Sequence, residues 1–84
     1  MFELTYGLEM VGSYKSFSKT FMELYKRLNS DLKEGMSWQF LETTIWIKKV
    51  GTTSPIMFHE ARDRACRIGL LIDGKINPNY KDEI

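Results

Sequence analysis

The chain has 84 residues, is 43% hydrophobic and 27% charged, and carries a formal net charge of +1 and one cysteine, Cys66. These values describe one globular domain with a core large enough to fold and little stability to spare. They argue against nucleic-acid binding by bulk charge, an intrachain disulfide or a cysteine zinc cluster, and they fit a reducing, cytoplasmic setting.

The N-terminal residues lack the basic region and apolar run of a signal peptide, and no apolar stretch approaches membrane-spanning length, so no membrane association is expected. Residues 2–10 alternate, with Phe2, Leu4, Tyr6, Leu8 and Met10 on one side and Glu3, Thr5 and Glu9 on the other. That is the pattern of one half-buried strand, after which VGSYKS turns the chain.

Over residues 16–35, Phe17, Phe21, Leu24, Tyr25, Leu28 and Leu32 recur at helical spacing and form one apolar stripe. Ser16 or Ser18 suits the N-cap, and Thr20 with Glu23 is a competing capping box. Lys33 belongs in the last turn and Gly35 at C′.

Residues 37–50, SWQFLETTIWIKKV, are rich in aromatic and β-branched side chains and read as extended. Leu41, Ile45 and Ile47 share one parity. Trp38, Phe40 and Trp46 share the other with Glu42, Thr44 and Lys48. Either this strand is covered on both faces, or a bulge or turn near Glu42–Thr44 changes its register.

A second helix follows, with Ser54 as N-cap and Pro55 at the first helical position. Its inward arc is Met57, Phe58, Ala61, Ala65 and Ile68. Gly69 suits C′, with Leu70 as its apolar contact. Asp73-Gly74 between short apolar runs is a two-residue hairpin signal, and residues 77–84 read as a polar tail that frays.

The expected fold is a single α+β domain over residues 1–76, ordered β-α-β(β)-α-β-hairpin, with two main helices packed on a small sheet. The first two strands can run parallel, joined by the first helix in a right-handed crossover. Two strands alone are marginal. Further ones are expected from the Asp73-Gly74 hairpin, from a split of residues 37–50, or from a second protomer. A winged-helix arrangement needs two closely spaced helices before the wing, and a strand run separates them here.

Catalytic signals are weak. His59 and Asp63 lie one helical turn apart, but the zinc-protease pattern needs a second histidine where Asp63 stands, plus a third ligand. An exposed histidine beside Asp63 is the simpler reading. Cys66 is seven residues from His59, about 10 Å of helical rise, too far for a nucleophile and its base. No glycine-rich phosphate loop or cofactor motif is present, so neither an enzyme nor a cofactor is expected.

Binding signals are better. Glu60–Arg64 and Asp63–Arg67 are acid-first i,i+4 pairs, whereas Arg62 has no such partner. Arg62 and Arg64 flank the apolar arc on opposite sides, where a guanidinium can hold a phosphate or carboxylate. TTIWIKKV interleaves Trp46 with Lys48 and Lys49. With a helix on each face of that strand, Trp38 and Trp46 are core. With both helices on one face, the tryptophan face is an exposed aromatic patch of the kind that marks an interface.

The expected function is non-enzymatic binding of a nucleotide-like or nucleic-acid anion. Trp46, with Trp38 or Tyr80, would stack, and Lys48, Lys49, Arg62 and Arg64 would meet phosphates. The alternative is an inhibitor or adaptor that meets a host protein through an apolar strand face. A homodimer suits either reading. The size, the lack of enzymatic motifs and the self-contained layout resemble those of small phage or mobile-element accessory proteins.

Overall fold

The computed structural model describes residues 1–81, which form three helices, a four-stranded antiparallel sheet and a separate two-stranded hairpin. The class is α+β, as the sequence indicates. Strand β1 (Phe2–Tyr6) pairs with β2 (Glu9–Tyr14), and helix α1 (Phe17–Lys33) follows. Helix α2 (Trp38–Thr44) leads into β3 (Trp46–Lys49) and β4 (Ile56–Met57). Helix α3 (Phe58–Arg67) precedes the hairpin of β5 (Leu71–Ile72) and β6 (Lys75–Ile76). The main sheet has the order β2-β1-β3-β4.

The alternation of residues 2–10 hides a turn. Gly7 and Leu8 have φ values of 62° and 68°, the two positive values of a type I′ hairpin. Leu8 adopts a conformation that leucine disfavours, and it is 68% exposed. Its N–H donates to the Thr44 carbonyl at 3.1 Å, which ties the hairpin tip to the end of α2. Leu4 pairs with Gly12 and Thr5 with Met10, so Val11 is the extra residue of a β-bulge. Because this hairpin reverses the chain before α1 begins, β3 returns antiparallel to β1 and not parallel.

The stripe of α1 is buried from Phe17 to Leu28. The Ser16 hydroxyl accepts from the Lys19 N–H and is the N-cap. Gly35 and Met36 donate to Leu32 and Asp31 in a Schellman C-cap. Helix α3 ends the same way, with Gly69 donating to Cys66 and the buried Leu70 to Ala65.

Residues 38–44 are helical, not extended. The Ser37 side chain caps the Phe40 N–H, Leu41 is buried, and the Trp38 ring meets Phe58 edge-on with centroids 5.5 Å apart. Packing of Trp38 and Leu41 on the core outweighs the strand preference of this composition. The strand begins only at Trp46. The start of α3 shifts in the opposite sense. Ile56 and Met57 pair with Ile47 and Trp46, so the helix begins at Phe58 with Met57 as a cap that makes no side-chain bond. Ser54 is therefore not the N-cap.

The molecule measures 35 × 31 × 18 Å, and the short dimension admits a sheet and one layer of helices. All the helices share one face. Leu4 and Ile47 from the sheet, and Ile45 from the junction between α2 and β3, are buried in one cluster with Phe21, Leu24, Leu28, Leu41, Phe58, Ala61 and Ala65. On the other face, the cross-strand partners Met10–Thr5–Trp46–Met57 form a row across all four strands, with Glu3 opposite Lys48 beside it.

At the other end of α1, the Tyr6 hydroxyl donates to the Asp31 carboxylate at 2.6 Å. Burial, and then this bond, push the phenol well above its usual value. The Tyr25 hydroxyl donates to the Gly74 carbonyl and anchors the β5–β6 hairpin. The residues expected to fray are partly tied down. The Asn77 side chain donates to the Gly69 carbonyl at 3.0 Å, and its backbone N–H donates to Leu70 at 2.8 Å. The Tyr80 N–H donates to the Asn77 carbonyl. Residues 82–84 of the expected tail lie outside the described residues.

Candidate functional site

Strand β3 carries Lys49 on the same face as Ile47, because successive residues of a strand alternate. Its cross-strand partner is Phe2, which packs edge-on against Phe17 with centroids 6.3 Å apart. The chain then turns through Val50 and Gly51. Thr52 donates to the Lys49 carbonyl from its N–H at 3.0 Å and from its hydroxyl at 2.6 Å. Gly51 has φ +92°, the left-handed conformation that a type II turn requires at this position. Thr53 and Ser54 continue the loop towards β4.

Helix α3 supplies the opposite wall. The Arg64 guanidinium lies over the Phe17 ring, 4.4 Å from its centre, a cation–π arrangement. The expected Glu60–Arg64 and Asp63–Arg67 pairs are not formed. The only ion pair within 4 Å among the described residues is Arg27–Glu23 at 3.6 Å. The Phe17 face therefore holds Arg64 in place of a carboxylate.

Between these walls lies a cleft of about 600 Å³. Lys49 and Arg64 line it with the hydroxyl residues Thr52, Thr53 and Ser54, and Phe2 and Ile56 give it an apolar side. No aspartate or glutamate among the described residues lines it. A second cleft of about 670 Å³ lies across Arg64, bounded by Phe17, Gly69, Asn77, Asn79, Tyr80 and Lys81. With no aspartate or glutamate among the described residues lining their cleft or paired to them, Lys49 and Arg64 make a local positive potential on a nearly neutral molecule.

The residues singled out in the sequence divide into groups. Lys49 and Arg64 come together. Trp46 and Lys48 lie on the uncovered face of the sheet, with Trp46 half-buried between Thr5 and Met57. Arg62 is exposed, about 200° around α3 from Arg64. Trp38 belongs to α2, against Phe58. TTIWIKKV therefore does not make one aromatic–basic surface, since Lys49 faces away from Trp46. Phe2, the hydroxyl loop and Lys81 were not singled out. The signal for the loop was present in Gly-Thr-Thr-Ser two residues after Lys49.

His59 and Cys66 are both exposed on α3. No cluster of three His, Cys, Asp or Glu side chains suited to a metal occurs among the described residues, and no described helix is long and apolar enough to cross a membrane. No family model, curated protein or solved structure matches this chain.

Proposed function

We propose that this protein is a non-catalytic binding protein for a small phosphate-bearing, nucleotide-like anion, held in the cleft between the β3–β4 loop and α3. The observation that carries this reading is the meeting of Lys49 and Arg64 with three hydroxyl residues on one cleft that no aspartate or glutamate among the described residues lines. Its volume lies within the range of about 300–1,000 Å³ usual for small-molecule sites. Arg64 offers a planar fork to phosphate oxygens, and Lys49 a mobile point charge. Thr53 and Ser54 offer hydroxyl donors. Phe2 and Ile56 give a base or other apolar moiety somewhere to lie. Retaining such a ligand, and so withholding it from a receptor, suits an accessory or inhibitor protein of phage type and calls for no catalytic group.

The test is calorimetric titration with AMP and GMP. Lys49→Ala and Arg64→Ala each weaken binding about ten- to a hundredfold, the usual loss for a charge-assisted hydrogen bond. Lys48→Ala, on the other face, changes it less than about twofold. Arg64→Lys accompanies Arg64→Ala because it keeps the charge over Phe17 if the alanine variant unfolds. Absence of binding by the wild type rejects the reading.

The uncovered sheet face supports a second reading. Met10, which is 53% exposed, shares its row with Trp46 and Met57. An apolar row on an unpacked sheet suits a protein partner, whether a host protein or a second copy of this chain. Sedimentation of the wild type beside Trp46→Ala tests the second copy: a dimer that becomes a monomer supports it, and a monomer in both rejects it.

A further inference from the structure

We infer that the ligand carries phosphate groups at two separated points, one in each cleft, with Arg64 between them, and that it belongs to the class of free dinucleotides. This rests on the nucleotide reading of the first cleft and extends it. The two clefts meet at Arg64, which lines both. Beneath it, Phe2 of the first cleft touches Phe17 of the second, so an aromatic floor runs from one to the other.

A guanidinium has five N–H donors, and a bidentate phosphate takes two of them. Arg64 therefore has donors left for an acceptor on its other side. The second cleft has its own cation, Lys81, and no aspartate or glutamate among the described residues lines it. Each cleft thus pairs the shared arginine with one lysine, Lys49 or Lys81.

The far wall is held in place by its own bonds. The Asn77 side-chain oxygen accepts from the Asn79 N–H at 3.0 Å while its amide donates to Gly69. The Tyr80 hydroxyl accepts from Ser18 at 2.9 Å, which leaves the phenol proton to donate to a ligand. A single phosphate, or a nucleoside with adjacent phosphates, engages one cleft only. Two phosphates separated by a nucleoside engage both. The net charge of +1 favours a small free ligand over a long polyanion.

The experiment compares pApA and pGpG (5′-phosphorylated dinucleotides) with AMP and GMP on the full chain, in the wild type, Lys49→Ala and Lys81→Ala, at matched salt. The wild type binds at least one dinucleotide about tenfold or more tightly than the matching mononucleotide, as an added charge-assisted contact allows. Lys81→Ala removes most of that advantage and leaves mononucleotide affinity unchanged, whereas Lys49→Ala weakens both. Equal affinities in the wild type, or a dinucleotide advantage that Lys81→Ala leaves intact, overturn the two-cleft inference while the mononucleotide reading stands. Tighter binding of a ten-nucleotide single strand than of either dinucleotide overturns it in favour of nucleic acid. Failure of all four nucleotides to bind overturns the underlying reading as well.

Discussion

The two faces of the main sheet differ more than its sequence pattern suggests. On the helix side, Ile47 is fully buried, and its strand neighbour Lys49 reaches the rim of a cationic cleft. On the open side, Trp46 and Lys48 stand over Thr5, Met57 and Glu3 with no helix above them. One four-residue strand thus serves the core, the cleft and an uncovered apolar row. Neighbours along a strand belong to different surfaces, so Lys49 parts from Trp46 and Lys48 although all three stand in one four-residue strand. Lys49 finds its partner in Arg64 of α3, fifteen positions away in the chain.

That contrast can be pressed by mutation. The largest effect falls on the helix side. Ile47→Ala removes a fully buried side chain and costs about 2–5 kcal/mol in urea unfolding. Trp46→Ala loses two cross-strand neighbours and costs about 1–2 kcal/mol, and it leaves nucleotide affinity unchanged. A loss for Trp46→Ala equal to that for Ile47→Ala would mean that the open face is covered in solution. Tyr6→Phe costs about 1 kcal/mol through the lost bond to Asp31.

The Tyr6 variant also alters the alkaline response. Burial and the Asp31 bond raise the phenol above its ordinary value of 10.0. The folded state therefore holds the proton where the unfolded chain releases it. This stabilisation is complete below about pH 10 and is lost as pH rises towards the folded-state value. Unfolding curves above pH 10 should be flatter with pH in Tyr6→Phe than in the wild type. The smallest effect has the opposite sign. Leu8→Gly relieves a positive φ at an exposed position and raises stability by about 0.5–1 kcal/mol. A loss on that substitution would mean that the Leu8 side chain packs on a partner.

Much of the frame was legible because its signals are local. The stripe from Phe17 to Leu28 with Ser16 as cap, Gly69 with Leu70 after α3, and the Asp73-Gly74 turn each carry their own chemistry within a few residues. What escaped was decided by contacts across the chain. Leu8 sits at a turn that its apolar alternation conceals. Residues 38–44 have strand-forming composition but coil because Trp38 and Leu41 find Phe58 and the core. Met57 leaves the helix to pair with Trp46.

The site was legible in part. Lys49 and Arg64 were named from charge and position. Their separation from Trp46, Lys48 and Arg62 follows from the two-residue period of a strand and the 3.6-residue period of a helix. The second cleft was not legible, since it depends on Asn77 folding the chain back so that Tyr80 reaches Ser18.

The most direct test of the central claim is an amide NMR titration with AMP or GMP. The anion is expected to bind on the helix side of the sheet. The amides of Gly51, Thr52, Thr53, Ser54 and Arg64 should shift with ligand, while the Trp46 indole and the amides of Met10 and Met57 stay in place. Movement of the Trp46 indole and Met57 with a still β3–β4 loop would contradict it and move the binding surface to the open face.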